Sequence, residues 1–239
     1  MDNIILEFQK TFIRDNRYLV FLEGLKNTLT ITLVAVLIGI VLGTLVSLVH
    51  AQTKAEEKKK RKSVKKTLLG ILDKICTAYV AVMRGTPLAI QLTIMAFIIM
   101  AGYANKIVVC FLAFGINSGA YVSEVIRGGI EAVDIGQAEA GRSLGLSQLG
   151  TLRLIVLPQA IKSILPALCN EGIAVLKETA IVGLISVVDL TRASDLVRSR
   201  TLSPYFPLIS VAIVYFVLVA GLSSLVSKLE RRLKQSDRG

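Results

Sequence analysis

The chain has 239 residues, 53% of them hydrophobic and 19% charged, with a mean hydropathy of +0.65 and a formal net charge of +11. Soluble domains reach about 45–50% apolar only when glycine is counted, and this chain exceeds that without its 18 glycines, so one integral membrane domain is expected. The charge does not read as a nucleic-acid footprint: eight basic residues fall in residues 54–66 and five more in residues 228–238, both abutting apolar segments, where Lys and Arg mark the cytoplasmic side and meet anionic lipid.

Residues 1–23 carry three basic and four acidic side chains and are expected outside the membrane as an extracytoplasmic segment. Residues 27–49 hold no charge and, as helix, are long enough to cross with some tilt. The stretch LVSLVHAQ resembles a signal-peptidase site, but the apolar run is too long for a signal peptide and a lysine-rich stop-transfer run follows. It is read as a retained first span, amino end outside, leading into a basic cytoplasmic loop at 51–67. Residues 68–102 are read as one long element, an amphipathic approach followed by an outward crossing. Its kink falls at Gly85, Thr86 and Pro87, since proline breaks a helix and the residue before it avoids helical backbone. Two separate spans are the alternative, and they would invert everything downstream.

Residues 107–123 return inward without a charge and end in EVIRGGIEAV. The polar stretch 128–160 is then cytoplasmic. Residues 161–188 form the fourth span and contain Glu171, Lys177 and Glu178; residues 201–227 form the fifth, ending in a basic cytoplasmic tail at 228–239. The expected fold is an all-α integral membrane protein of about five transmembrane helices, with residues 24–227 as a single domain and both basic clusters inside. Three cysteines, Cys76, Cys110 and Cys169, lie far apart in apolar stretches and His50 is the lone histidine. Neither a metal site nor a Cys–His nucleophile has the partners it needs.

The segment QAEAGRSLGLSQLGTLRLIVLPQAI, residues 137–161, interrupts this apolar pattern. Residues 137–146 favour helix with Gly145 as terminator, and a second short helix at 148–157 is expected to stop at Pro158. The helical pattern alone fits a partnerless surface hairpin as well as a docking element. The spacing Glu139-Ala140-Gly141, three residues, Gly145, nine residues, Ile155, one residue, Leu157-Pro158 resembles the EAA loop of binding-protein-dependent ABC transporter permeases. It departs only in having Gly141 for the second alanine. RGTPLAIQL, NSGAYVSEVIRGGIEAVDIGQAEAGRSLGLS and LPQAIKSILPALCNEGIAVLKETAIVGLISVVDLTR resemble the polar amino acid uptake branch, the histidine, arginine and glutamine permeases, over about residues 24–233.

That resemblance implies a type I importer permease in a bacterial inner or plasma membrane. In the family the EAA loop couples to an ATPase, so Glu139, Ala140, Gly141, Gly145, Leu157 and Pro158 are the expected coupling residues. Two cytoplasmic ATPase subunits, a second permease chain of the same or similar kind, an extracytoplasmic solute-binding protein and an amino acid substrate are the implied partners. No G-x-x-x-x-G-K-[ST] phosphate loop is present, so any nucleotide chemistry belongs to a partner. The chain itself is expected to bind no cofactor and to be no enzyme.

Charges at span centre cost about 2.5–3.5 kcal/mol each on insertion scales, so the membrane-embedded ones must face protein, water or each other. Glu171 and Glu178, seven residues apart, share nearly one helix face with Lys177 beside it. With Asn170 and Thr179 they either line a solute cavity or form an internal ion pair and polar helix interface. Asn117, Ser118, Tyr121 and Glu124 recur at three- and four-residue spacing on one face, lining a pathway or packing a partner helix. The acids point weakly to a cationic amino acid; an opine, organic cation or osmolyte is the second reading of the solute. An ion-coupled secondary carrier is the alternative class, and the internal repeat it calls for is not visible.

Overall fold

The computed structural model describes residues 2–57 and 63–235, and every regular element among them is helical. The middle of the lysine run, 58–62, and the end of the basic tail, 236–239, lie outside the described residues. The helices are α1 (Asp2–Phe8), α2 (Tyr18–Glu57), α3 (Val64–Gly85), α4 (Leu88–Ile94), α5 (Lys106–Glu131), α6 (Ile135–Ser143), α7 (Gln148–Thr151), α8 (Leu157–Glu178), α9 (Leu190–Thr201) and α10 (Phe206–Gln235).

Among the described residues four helical stretches are long and apolar enough to cross a membrane: Tyr18–Glu57, Lys106–Glu131, Gln148–Ile185 and Phe206–Leu233. A fifth is made if α3 and Leu88–Ile99 count as one broken span. The break falls where proline dictates it, with Pro87 in extended backbone (ψ 133°) at the start of α4. Helix α2 shows what lipid selects. Its outer positions Leu29, Leu33, Leu37, Val41 and Leu45 are each 42–62% exposed, whereas its buried stripe includes Gly24, Thr28, Ala35, Gly39 and Gly43. A helix apolar all round with small residues on its packed face belongs in hydrocarbon, where helices gain by close approach and not by expelling water.

Two compact units are built from interleaved segments. The first comprises Met1–Ile38, Thr86–Gly115 and Gly172–Leu222. Its main core gathers Ile31, Leu92, Val109, Phe114, Val175 and Val182, and a second cluster sets Phe21 against Leu190, Val197 and Val211. The amino-terminal segment folds onto this second cluster: the Phe12 ring lies 5.1 Å from both Phe8 and Phe21. The Ser203 hydroxyl donates to Glu7, and that bond, followed by the Lys10 ammonium, holds the Glu7 carboxyl below its ordinary value. Asp189, fully buried, caps α9 by accepting from the Thr191 and Arg192 amides at 2.9 and 3.0 Å, and also receives the Tyr215 hydroxyl.

The second unit comprises Gly39–Gly85, Ile116–Glu171 and Ser223–Gly239. Val46, Val80 and Ala120 form its core, with Cys76, Tyr79 and Met83 packed around them. The helices meet at glycine: a Cβ on Gly43 would lie 2.6 Å from Val122 Cγ1 and 2.8 Å from the Gly119 carbonyl oxygen.

Three sequence expectations change. The second loop helix does not stop at Pro158 but runs unbroken from Gln148 to Ile185. Directly before the proline, Leu152–Val156 form a widened turn in which the Leu157 amide reaches back five residues to the Leu152 carbonyl. Proline lacks an N–H and its ring clashes with the carbonyl four residues earlier in a regular helix; the wide turn displaces that carbonyl. Helix α9 has no counterpart in the apolar pattern, because its length is largely Arg, Ser, Thr and Asp. The last span therefore starts at Phe206 and not at 201: Thr201 closes α9, and Leu202 turns the chain in left-handed backbone (φ 52°).

Candidate functional site

The polar loop folds as a capped helical hairpin. Asp134 starts α6 by accepting the Gly136 amide at 2.6 Å, and Ser147 starts α7 by accepting the Gly150 amide at 3.1 Å. Between them the chain reverses at Gly145, whose φ of +87° is a conformation that glycine adopts freely. The Gly145 amide donates to the Arg142 carbonyl at 3.0 Å and the Leu146 amide to the Gly141 carbonyl at 3.1 Å. This paired closure satisfies the last carbonyls of α6.

Gly141, where the EAA pattern has alanine, is buried. A Cβ there would stand 2.5 Å from Ile155 Cδ1 and 3.2 Å from Thr151 Cγ2. The glycine thus lets α6 lie close on the widened turn, and Ile155, another motif position, is what it lies on. Glu139, Ala140, Leu157 and Pro158 are exposed. So are the apolar side chains Ile135, Leu144, Leu149 and Leu154, at 55–85%. Together they leave an uncovered apolar rim around the polar hairpin.

The face of α5 divides. Asn117 and Ser118 are buried and bond within the second unit: Asn117 Nδ2 donates to the Met83 carbonyl at 3.2 Å, and Ser118 Oγ to Glu171 Oε1 at 3.0 Å. Tyr121 is exposed and Glu124 half-buried. The Arg84 guanidinium lies 5.6 Å over the Tyr121 ring and donates to Glu124 at 3.0 Å; Arg127 donates to Glu124 at 2.9 and 3.1 Å and to Glu131 at 2.6 Å. Arg84, Glu124 and Arg127 line a cavity of about 550 Å³ together with His50 and Asp73, whose side chains pair at 2.5 Å.

On α8, Asn170 is exposed and Glu171 half-buried, both in the second unit. Lys177, Glu178 and Thr179 belong to the first. Thr179 is fully buried, its hydroxyl on the Leu176 carbonyl at 2.7 Å. Lys177 lines a smaller cavity of about 220 Å³ with Thr191 and Tyr215. Sequence reasoning placed Glu124 on a polar face but missed its arginine partners Arg84 and Arg127, and missed the His50–Asp73 pair. Partners 40 and 23 residues apart leave no spacing signal in one sequence. No group of three or more His, Cys, Asp or Glu among the described residues is arranged to hold a metal.

Residues 67–235 match the family model described as binding-protein-dependent transport system inner membrane component. A putative glutamine transport system permease protein GlnP of Rickettsia bellii is 42% identical over 158 residues, 65% of this chain and 72% of that one. The arginine transport system permease protein ArtQ of Bacillus subtilis is 40% identical over 162 residues, 66% of this chain and 74% of its own. Among solved structures, a crystal structure of an amino acid ABC transporter with histidines superposes with a TM-score of 0.78 at 40% identity, covering 89% of this chain and 94% of the other.

Proposed function

This chain belongs to the family of binding-protein-dependent transport system inner membrane components, and on that premise we propose that it is the permease subunit of an ATP-driven importer of polar amino acids, coupled to its ATPase through the α6–α7 hairpin. It is a multi-pass protein of the bacterial inner membrane and not itself an enzyme. The amino end lies outside and the carboxyl end in the cytoplasm, an orientation that the basic residues at both inner ends support. Two ATPase subunits dock inside, a second permease chain completes the pathway, and a solute-binding protein delivers the substrate from outside.

The observation that carries this reading is the hairpin itself. Its shape is held by two side-chain caps and the Gly145 reversal, yet it leaves Glu139, Ala140 and its apolar rim open. ATP-driven closure of the partner would move the hairpin as a body and, through the continuous helix beyond it, bias the pathway. The charged cavity suits a zwitterion: Arg84 and Arg127 for a carboxylate and Glu124 for an ammonium, with the Arg84 guanidinium set over the Tyr121 ring. Relatives named for glutamine and arginine transport support a polar amino acid, and Glu171 and Glu178 favour a cationic one.

The test is copurification. The tagged chain taken from native membrane brings down an ATPase, and Glu139→Lys loses it while remaining inserted and folded. If no ATPase accompanies the folded wild type, the coupling role is wrong and an ion-coupled carrier becomes the better reading.

A further inference from the structure

A second cavity of about 550 Å³ lies beside the hairpin and adjoins the first, sharing Ala51, Lys54, Ile130 and Glu131 with it. Ala51, Ile130, Leu152 and Val156 give it an apolar wall, and Lys54, Glu131, Asp134, Arg142 and Thr151 a polar side. The acids are engaged: Glu131 receives Arg127 at 2.6 Å and Lys54 at 3.5 Å, and Asp134 holds the Gly136 amide. The donors are not. Arg142 uses only its Nε, on the Ala138 carbonyl at 3.3 Å, and meets no acid among the described residues. Thr151 is 3% exposed and its hydroxyl has no hydrogen-bond partner there. A buried hydroxyl left unpaired is costly, so the site favours whatever supplies an acceptor.

Depth identifies the acceptor. Helix α5 has 26 residues, about 39 Å of helix, against a hydrocarbon core about 30 Å thick. Its last turn, Ile130 and Glu131, therefore lies among lipid headgroups, as does the end of α2 that supplies Ala51 and Lys54. The basic run beginning at Lys54 concentrates anionic lipid at the same level. We propose that this cavity binds the phosphate of an anionic phospholipid, with Arg142 and Thr151 donating to its oxygens and the apolar wall holding the glycerol end of the acyl chains. A free phosphate ion shares the headgroup chemistry but has nothing to place against that wall. The lipid would bridge the hairpin to the ends of α2 and α5, making the hairpin sensitive to membrane composition.

The experiment measures the thermal midpoint of the full chain, purified with the proteins that accompany it, on titration with phosphatidylglycerol, phosphatidylcholine or inorganic phosphate. Phosphatidylglycerol is expected to raise the midpoint and the other two to leave it. Arg142→Gln weakens the phosphatidylglycerol response about tenfold, as expected for one charge-assisted hydrogen bond. Thr151→Val raises the lipid-free midpoint, because it removes an unpaired hydroxyl, yet shrinks the lipid-induced rise; Thr151→Ser retains that rise. A threonine with only a structural role would shift both midpoints equally, and that outcome overturns the proposal. Equal responses to the two lipids, a full response to inorganic phosphate, or wild-type lipid responses in both Arg142→Gln and Thr151→Val overturn it as well.

Discussion

Replacing Gly145 by alanine isolates one contribution to the hairpin, because only a backbone angle is at stake. A Cβ added at Gly145 meets no atom within 4 Å, so packing neither rewards nor penalises it. The residue sits at φ +87°, where a side chain costs about 1–2 kcal/mol. One hydrogen bond closes across that angle, from the Leu146 amide to the Gly141 carbonyl at 3.1 Å. The cost therefore falls on local opening of α6, and an opening equilibrium shifted by 1–2 kcal/mol moves by roughly 5- to 30-fold. Hydrogen exchange followed by mass spectrometry on peptides covering 135–146 reads this directly. Gly145→Ala should exchange faster by that factor, with peptides from α5 unchanged. Asparagine tolerates left-handed backbone better than alanine, so Gly145→Asn should fall between wild type and Gly145→Ala. Exchange of α6 that ignores both substitutions, or that is faster in the asparagine variant than in the alanine one, would show that the reversal is held by something other than the glycine.

Gly43→Ala forces a Cβ to within 2.6 Å of Val122 and should cost about 1–3 kcal/mol as overpacking, read as a lower thermal midpoint; an unchanged midpoint would mean that the two helices part without penalty. Ser118→Ala removes a buried donor from the half-exposed Glu171 carboxylate and should cost about 1.5 kcal/mol, the low end for a bond to a charged group, measured by denaturation in detergent. Glu124→Gln breaks contacts to two arginines whose side chains are 43% and 45% exposed, each worth at most about 1 kcal/mol, so uptake in proteoliposomes should fall while the midpoint holds. Loss of fold along with uptake would make Glu124 a structural residue. Because the Ser203 hydroxyl and then Lys10 depress the Glu7 carboxyl, its stabilisation is complete above the ordinary carboxylate range and disappears as pH falls through the depressed value. Ser203→Ala should flatten that acid limb, and an unaltered limb would remove Glu7 from the account.

The spans were legible because hydrocarbon imposes length and composition on a segment regardless of what it packs against, and Pro87 announced its break by local sterics alone. The reversal at Gly145 was legible for the same local reason. Pro158 misled because a proline says only that a regular helix cannot continue. Whether the chain stops or widens by one residue depends on the segment downstream, and here that segment is a long apolar helix. The role of Gly141 was also hidden: its neighbours Ile155 and Thr151 meet it only once the hairpin has closed. Asp189 carried no signal of its own in the sequence, although it is fully buried and organises α9. The charged cluster around Glu124 illustrates the general limit. Periodicity places residues on a face, but which distant side chain that face meets is set by helix packing.

The widened turn at Leu152–Val156 holds, in effect, one residue too many for a regular helix. Deleting a single residue there would give a smoother helix and still fail, for two reasons. Everything before the deletion would swing about 100° around the axis relative to everything after it, carrying the hairpin to another side, and Pro158 would regain the carbonyl it cannot tolerate. The surplus residue is thus a register mark: it ties where the hairpin points to which face of the next helix is buried, so insertions and deletions should be accepted on either side of this stretch far more readily than within it.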